Sequence, residues 1–585
     1  MTSPVLPYES PTPPKQFKCG TLTYSKRTLA LLFFWLFWGD ICYTLMENMG
    51  GPIMQLKFED LHSSNKTYML FANTFPTLIF LFMNPIISFK SDRFRSKLGR
   101  RIPFIILTLP FLTAGLVALA YCNQIGDWLF HKLEGSALYS WAMESWFHRQ
   151  FFVQGLSGTA VSATIVGAIL VIFVLFVHNC KRWGWRLPYW TVALPLFLIS
   201  ALVLYRRAGI TGWINYTVQQ AEFSQTSVVI VTIGALLVAF TFFNTIFTSM
   251  YWYLFRDVVP ENVLARFMSW FRVISLVTFG MYKWFIFPHS RTHATEIFLS
   301  AAAIYLVGFG LMMLFVREGK YPPPSPYVGG HKGPLAAVLT YGKECHSHTH
   351  YWYFWMLTFV GSIGGGVGAF NLYFQERIGL DLQQIGRIDA ITTYSVAVMV
   401  LGVGWLADRY HPIRVIIAAS LLGVLVTPIN LIWLFWHPPA TAVFHIMGFD
   451  IRQVFLVQGC IAVGLGGPVA ALSSMWDPVL LMRVFPHERF GQFASTNSLW
   501  RTSGGLLGGL LAASALDIVA TWVGRDNAYF YMPFWQIAFG LPAFLLLLKF
   551  YQSWKRYGGD ESYVPPKLEA PPEAPVPGEP VIVHA

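Results

Sequence analysis

The sequence predicts an all-α, polytopic membrane protein, and three observations carry this prediction. Of the 585 residues, 55% are hydrophobic and only 12% are charged, whereas about 25% charged residues is usual in a soluble domain. Aromatic residues reach 17%, which is typical of helices whose ends lie in the aromatic belts of a bilayer. Apolar runs of about 20 residues, the length that a membrane-spanning helix needs, recur along the chain. Soluble enzymes, disordered chains and coiled coils are therefore excluded.

About fourteen such runs are predicted to be transmembrane helices. They lie near residues 28–51, 68–89, 102–121, 152–178, 188–206, 228–254, 268–287, 296–316, 352–374, 388–406, 413–435, 453–475, 497–522 and 530–550. The hydrophilic segment 317–351 contains YPPPSPYVGGHKGP and is predicted to link an N-terminal helical half, 28–316, to a C-terminal half, 352–551. The ends, 1–27 and 552–585, are proline-rich and are expected to be disordered.

The distribution of basic residues predicts the orientation in the membrane. When successive loops are placed alternately on the two sides, the side that holds both termini carries most of the 41 Lys and Arg residues. The positive-inside rule then puts both termini in the cytoplasm of an integral, multi-pass plasma (inner) membrane protein. The net charge of +12 suits the anionic lipid face. Nucleic acid is not an expected partner, because no long basic tract is interleaved with exposed aromatic residues.

Two features recur in the same order in both halves. Asp92-Arg93 is mirrored by Asp408-Arg409, and Pro260, which follows a later apolar run, is mirrored by Pro486. The first half is longer between its marks by about 90 residues, which indicates an inserted two-helix hairpin at about 124–227. Without the hairpin, two parallel repeats of six helices remain, and such repeats place the substrate site between them near the bilayer midplane.

The segment 91–105, SDRFRSKLGRRIPFI, resembles the loop between helices 2 and 3 of the major facilitator superfamily. It is most similar to that loop in the sucrose/proton symporters and in the glycoside-pentoside-hexuronide/cation symporters, and Asn84-Pro85 fits the same lineage. The resemblance implies secondary active transport of a small solute, a sugar or glycoside, by proton or sodium symport with alternating access. The second copy, GWLADRYHPIR, lacks the Gly-Arg-Arg end, so we expect it to be held less firmly.

Two acidic residues lie inside the first apolar run, LLFFWLFWGDICYTLMENMGG. A charge at the bilayer centre costs at least about 2.5–3.5 kcal/mol on insertion scales, so a carboxylate there is a functional candidate. Asp40 falls near the middle of the span, and Glu47 lies on nearly the same helix face, closer to the outside. We predict that both line the central cavity and take up the coupling proton or cation. A structural carboxylate paired with a basic residue is the alternative.

Other polar residues inside the spans are further candidates. Arg272 and Arg501 are predicted to pair with Asp40 or to bind substrate, or else to snorkel to the interface. The glycines that follow Arg501 favour a buried position for it. Asp389 is predicted to line the outer vestibule or to cap its helix. The uncharged residues predicted to reach the cavity, as substrate ligands or as helix contacts, are Asn244, Tyr251, Asn371, Gln375, Gln458 and Asn497.

Charged residues of the loops are predicted to gate the cavity. They are Asp92, Arg93, Arg95, Arg100, Arg101, Asp257, Asp408 and Arg409. We expect those of the first half to form a cytoplasmic salt-bridge latch that holds the halves together when the cavity faces outward. The positive-inside rule alone would also place basic residues there.

The chain contains no ATP-binding loop, HExxH or GxSxG motif, which favours a secondary transporter over a pump or an enzyme and predicts no cofactor. The segment ECHSHTH has metal-ligating residue types but no second cluster, so no metal site is expected. A facilitator or exporter of another small organic solute is the alternative, and a membrane-embedded enzyme is less favoured. We expect the protein to be a monomer.

Overall fold

The computed structural model describes residues 17–141, 224–320, 345–474, 480–486, 490–559 and 563–566, with isolated positions between them. Apart from isolated positions, the two spans of the predicted inserted hairpin, 152–178 and 188–206, lie outside the described residues, as do residues 321–344 of the predicted linker, residues 1–16 and residues 567–585. The prediction of fourteen spans is therefore not tested for the hairpin.

Long helices make up the first half of the described chain. They are α1 (Lys26–Asp60), α2 (Asn65–Met69), α3 (Phe75–Arg93), α4 (Ile102–Ala120), α5 (Cys122–Leu133), α6 (Gln225–Val258), α7 (Glu261–Met281) and α8 (Ala294–Phe315). Short π-helical segments, Leu70–Thr74 and Tyr282–Ile286, and a 3-10 turn, Phe287–His289, interrupt or follow them.

Helices also make up the second half. They are α9 (Thr349–Gly365), α10 (Asn371–Arg377), α11 (Leu382–Arg409), α12 (Pro412–Val426), α13 (Ile432–Phe435), α14 (Gln453–Gly459), α15 (Gly467–Ser473), α16 (Leu481–Val484), α17 (Phe490–Val523), α18 (Arg525–Ala528) and α19 (Met532–Arg556). Non-α segments join several of them: 3-10 turns at Gly366–Phe370, Thr427–Leu431 and Tyr529–Tyr531, and a π-helical segment at Cys460–Gly466.

Two short antiparallel hairpins accompany the helices. Strands β1 (Phe17–Cys19) and β2 (Leu22–Tyr24) pair with Phe17 opposite Tyr24, and Gly20 provides the positive φ that their turn needs. This hairpin lies in the segment 1–27 that was expected to be disordered. Strands β3 (Val443–Ile446) and β4 (Phe449–Arg452) pair with Ile446 opposite Phe449. The fold remains predominantly helical, as predicted.

Every predicted span outside the inserted hairpin coincides with a helix or a pair of helices in the described chain. Within the described residues, nine helical stretches are long and apolar enough to cross a membrane. The paired sequence marks also occupy equivalent places, since Arg93 ends α3 and Arg409 ends α11. The chain is thus an integral, multi-pass membrane protein, and the repeat of its two halves stays a prediction.

The chain folds as two compact units. The first comprises residues 1–57, 78–125 and 232–326. In it, α4 packs along α8, and α1 approaches α8 where Gly308 leaves room for the Cys42 thiol: a Cβ at Gly308 would lie 2.3 Å from that sulfur. Small residues therefore set the spacing of the helices that carry the acidic residues.

The second unit comprises residues 58–77, 126–231 and 327–585. Helix α9 packs against α17 and α19 around a core rich in buried aromatic residues. The short helix α2 also belongs to this unit, because the Asp517 carboxylate of α17 accepts hydrogen bonds from the backbone N–H groups of Asn65 and Lys66, each at 3.2 Å. This carboxylate satisfies two of the donors that a helix N-terminus leaves open.

Candidate functional site

Asp40 is the buried acidic residue of the first unit. Its side chain is 1% exposed, its Oδ2 accepts a hydrogen bond from Ser275 Oγ of α7 at 2.7 Å, and its Oδ1 lies 3.5 Å from Thr44 Oγ1. Arg272, one turn before Ser275, attracts the carboxylate electrostatically. Asp40 thus lies at the packed face of α1 with hydroxyl groups as its direct partners in the described structure, and its role at a central cavity stays a prediction.

Glu47 lies two turns further along α1 and differs in environment. Its side chain is exposed, and Asn244 Nδ2 of α6 donates a hydrogen bond to its Oε2 at 3.3 Å. Thr248, one turn on from Asn244, lies 3.5 Å from the Asn244 side-chain oxygen and also bonds the hydroxyl of Tyr43. Thus α1 carries one fully buried acidic residue, Asp40, and one, Glu47, whose side chain the described fold does not cover.

Two tyrosine side chains, Tyr43 and Tyr251, lie close to the two acidic residues. The Tyr43 hydroxyl interacts with both Glu47 and Asp40, and its ring lies 5.4 Å from that of Tyr251. Tyr251 is fully buried and donates its hydroxyl to the Leu36 carbonyl at 3.2 Å. Tyr251, predicted as a ligand, thus supports the backbone of α1 close to Asp40.

The two intramembrane arginines do not share one environment. Arg272 is exposed and acts on Asp40 from α7, as one of its predicted roles requires. Arg501 in α17 is also exposed, which corrects the prediction that it is buried. The glycines do permit close packing, since Gly504 and Gly508 face α9. The Arg501 side chain, however, is not buried in that helix contact.

The second unit contains a separate polar cavity of about 300 Å³. Helices α10, α11, α12, α14 and α19 and the segments between them enclose it. Its polar lining residues are Asn371, Gln375, Asp389, Thr392, Asn430, Gln458 and Gln536. The apolar ones are Phe374, Val426, Ile461, Ala462, Gly466, Met532 and Pro533. Three of the uncharged residues predicted as ligands or helix contacts, Asn371, Gln375 and Gln458, thus line one cavity, and Asp389 lines it as well.

The cavity forms where the helices around it lose regular α geometry. Asn371 follows the 3-10 turn 366–370, Asn430 lies within the turn 427–431, and Met532 follows the turn 529–531, while the π-helical segment 460–466 supplies the fourth wall. Such interruptions free backbone groups and are common at binding sites in transporters and at functional π-helical segments. The sequence signal is a proline close to an amide residue inside an apolar run, as in TPIN and MPFWQ.

A cluster of charges joins the start of α4 to the ends of α6 and α8 in the first unit. Arg100 binds Asp257 with both Nε (2.9 Å to Oδ2) and Nη2, and Arg101 Nε lies 3.2 Å from the same Oδ2. Arg101 also donates to Ser91 Oγ. The pairs predicted for Arg100, Arg101 and Asp257 thus exist within the first unit, and the latch between halves stays a prediction.

Glu318 completes this cluster and was not predicted from the sequence. Its carboxylate accepts the backbone N–H groups of Arg100, Arg101 and Ile102 at 2.9, 2.8 and 2.7 Å. These are the open donors at the N-terminus of α4, where the helix dipole also favours an anion. Glu318 lies just after the end of α8, more than two hundred residues along the sequence from its three partners. No local sequence pattern therefore points to it.

The remaining predicted gating residues have local contacts. Arg95 Nη1 donates to the adjacent Phe94 carbonyl at 2.8 Å, and Arg409 lies over the ring of Tyr410 at 5.9 Å. The side chains of Asp92, Arg93 and Asp408 lie outside the part of the chain that the structure describes in such detail.

Sequence reasoning missed several uncharged partners of the two sites. Thr44 lies one turn after Asp40 on α1, and Ser275 lies one turn after Arg272 on α7, so helical spacing could have found both. In the cavity of the second unit, Thr392, Asn430 and Gln536 were missed. They come from helices far apart in sequence, and their convergence needs the tertiary fold.

Comparison with solved structures shows that the fold is similar to that of a known membrane transporter. A point mutant of the nucleoside transporter NupG matches 89% of this chain and 98% of its own, with a TM-score of 0.50 and 11% identity. The D-xylose-proton symporter matches 90% and 97%, with a TM-score of 0.46 and 11% identity. A bacterial homologue of the iron transporter ferroportin matches 75% and 97%, with a TM-score of 0.39 and 17% identity. No protein-family model and no curated protein matches the sequence.

Proposed function

We propose that this protein, whose fold is that of major facilitator transporters, is a secondary active transporter that moves a small polar solute, a sugar or glycoside, together with a proton. The observation that carries the proposal is Asp40, a carboxyl group that is 1% exposed in the middle of a membrane-spanning helix. Acidic residues inside a bilayer are rare, and they commonly mark ion or proton pathways.

The surroundings of Asp40 support a group that alternates between charged and neutral forms. Ser275 Oγ, at 2.7 Å, can donate to the carboxylate or accept from the protonated acid. Arg272 attracts the charge without a close ion pair in the described structure, so the carboxylate is not fixed in one state. Protonation removes a buried charge that would otherwise be costly, and this links proton uptake to closure of the site.

Glu47 supports entry of the proton. Its side chain is not covered by the rest of the described fold, and a chain of polar side chains, Asn244, Thr248 and Tyr43, lies beside it. Because Tyr43 interacts with Asp40 as well, a proton accepted at Glu47 has a polar route towards the buried acid. The charge distribution of the loops supports a plasma-membrane protein with both termini in the cytoplasm, and we take it to act as a monomer.

The test uses full-length protein in liposomes and labelled D-xylose, sucrose and uridine as probes. With a pH gradient, acid outside, the native protein should accumulate at least one of the sugars above its external concentration. Asp40→Asn should abolish accumulation, with a loss of at least about tenfold, while exchange of labelled for unlabelled sugar without a gradient continues. Asp60→Asn makes the same change at the end of the same helix and should behave as the native protein.

Three outcomes would overturn the proposal. Equilibration of sugar without dependence on a gradient would make the protein a facilitator, and accumulation driven by sodium alone would replace the proton. Accumulation by Asp40→Asn equal to that of the native protein would remove Asp40 from coupling.

A further inference from the structure

We propose that the cavity inside the second unit is a binding site for an uncharged, ring-shaped solute that carries hydrogen-bonding groups on its rim and an apolar face. The sequence repeats place the expected substrate site between the two halves, whereas this cavity is lined by residues of the C-terminal half alone. The proposal rests on the proposed function for its ligand, because the solute bound there is taken to be the one transported.

Size favours a small organic molecule over a bare ion. A volume of about 300 Å³ lies at the lower end of ligand pockets, which span about 300–1,000 Å³, and holds about ten waters at roughly 30 Å³ each. A cation bound directly by protein oxygens needs ligands at about 2.3–2.6 Å, a far tighter cage. The space suits one sugar ring or one nucleobase.

The charge of the lining favours an uncharged ligand. Among the lining residues that the structure describes, none is Lys, Arg or His, and Asp389 alone is acidic. A carboxylate or phosphate would therefore find no cation among these described side chains. Hydroxyl and amide groups can donate to Asp389 and can exchange hydrogen bonds in both senses with the Asn and Gln side chains.

One acceptor in the wall lacks a partner in the described structure. Asn430 Oδ1 is buried, and no described donor lies within hydrogen-bonding distance. A buried polar atom without a partner is costly, so its retention is explained if a bound solute donates to it. By contrast, Gln458 Oε1 already accepts a hydrogen bond from the Trp433 indole N–H at 2.9 Å. We therefore assign Gln458 the role of holding the lining of the cavity in place.

Apolar side chains of the lining supply the apolar contact. Phe374 and Met532 are both buried, and they line the cavity together with Ile461. An aromatic ring and aliphatic groups suit the C–H face of a pyranose or the flat face of a base. The arrangement of an apolar wall with a few convergent polar groups is what small-molecule sites generally show.

Three variants test the proposal in the full-length protein in detergent: one single change and one matched pair. Asn430→Leu removes the unpartnered acceptor, and we expect it to leave the melting temperature unchanged or raised while weakening binding of the probe at least about tenfold. Thr392→Val and Thr393→Val remove neighbouring hydroxyls that each bond a backbone carbonyl one turn back, at 2.7 and 2.8 Å. Of the two, Thr392 lines the cavity, so only Thr392→Val should weaken binding.

The probes are D-glucose, D-xylose, sucrose, uridine, D-glucuronate and glucose 6-phosphate, with binding measured by calorimetry and by thermal shift. Binding of a neutral probe that Asn430→Leu weakens, together with no binding of the two anions, supports the site. Sugar binding without uridine binding assigns the ligand to the pyranose class, and the reverse assigns it to the nucleobase class. Binding of the anions, or equal affinities in Asn430→Leu and native protein, would overturn it.

The proposed function and this site fail in different ways. If Asn430→Leu binds the neutral probe as the native protein does while the native protein still accumulates sugar on a pH gradient, only the site is wrong. If the native protein binds the probe through Asn430 but never accumulates it on a pH gradient, only proton coupling is wrong.

Discussion

The two halves of this protein place different chemistry inside similar sets of helices. The N-terminal half holds two carboxylates on one helix, Asp40 and Glu47, with hydroxyl and amide partners. The C-terminal half holds a cavity rich in amide side chains, and Asp389 is the one acid among its described lining residues. The proposed proton site and the proposed solute site thus lie in different halves of the chain and differ in their chemistry.

The halves also differ in how closely their helices are held together. In the N-terminal half, a Cβ at Gly39 would meet the sulfur of Met312 at 2.2 Å, and Met is a flexible side chain that can move aside. In the C-terminal half, a Cβ at Gly508 would meet the backbone of Ile363 at 2.6 Å, and one at Gly366 would meet the Gly508 carbonyl carbon at 2.3 Å. Backbone cannot move aside, so the α9–α17 contact is the more rigid one.

The largest loss of stability should come from a change in the charge cluster of the N-terminal half, because the second copy of the loop motif lacks the Gly-Arg-Arg end. Asp257→Asn leaves Arg100 and Arg101 without their shared carboxylate, and the side chains of Arg101 and Asp257 are each only 6% exposed. Loss of one partner from such a group costs about 2–3 kcal/mol, because Arg100 is 21% exposed and can be partly solvated. The free energy of unfolding in detergent, followed by tryptophan fluorescence, measures this.

Arg409→Gln is the matched change in the second copy of the motif. Arg409 is exposed and lies 5.9 Å from the ring of Tyr410, so we expect a change below about 0.5 kcal/mol. If Asp257→Asn and Arg409→Gln lower the free energy of unfolding equally, the charges near the two copies of the loop motif stabilise the protein equally. The halves would then not differ in stability at these loops.

The next largest effect should come from the rigid helix contact. Gly508→Ala places a methyl group 2.6 Å from Ile363 Cα, and overpacking of this kind costs about 1–3 kcal/mol. Gly505→Ala, one turn earlier in α17, meets nothing within 4 Å. Both changes gain the higher helix propensity of alanine, about 1 kcal/mol, so their difference isolates the close contact. The yield of folded protein and the melting temperature are the readouts.

If the two alanine variants are equally stable, the contact between α9 and α17 is looser than the structure shows. The comparison with the N-terminal half can then be tested by Gly39→Ala, which we expect to cost less than Gly508→Ala because the Met312 side chain can change rotamer.

The sequence predicted the helices well because each must present about 20 apolar residues to lipid, and it located Asp40 because a buried acid stands out in such a run. The cavity was predicted only in part. Asn371 and Gln375 lie in one apolar run, but Asn430 and Gln536 join them from runs far away in sequence. The burial of Arg501 was predicted wrongly, because glycine spacing shows that one face of α17 packs closely but does not say which face Arg501 shares.

The smallest predicted effect concerns Glu318, whose two carboxylate oxygens accept three backbone N–H groups at the start of α4. In Glu318→Gln one oxygen remains to accept the N–H groups of Arg101 and Ile102, the bond to Arg100 is lost, and the favourable charge at the helix dipole disappears. We expect a loss of about 1 kcal/mol in unfolding free energy that shrinks as salt is added, since salt screens the charge. Asp381→Asn is the control in the C-terminal half, because Asp381 caps α11 through Gln384 N–H at 2.8 Å and asparagine caps a helix about as well as aspartate. If Glu318→Gln lowers the unfolding free energy no more than Asp381→Asn does, the charge of Glu318 does not stabilise the start of α4. The Arg100–Asp257 pair would then be the interaction that fixes this loop.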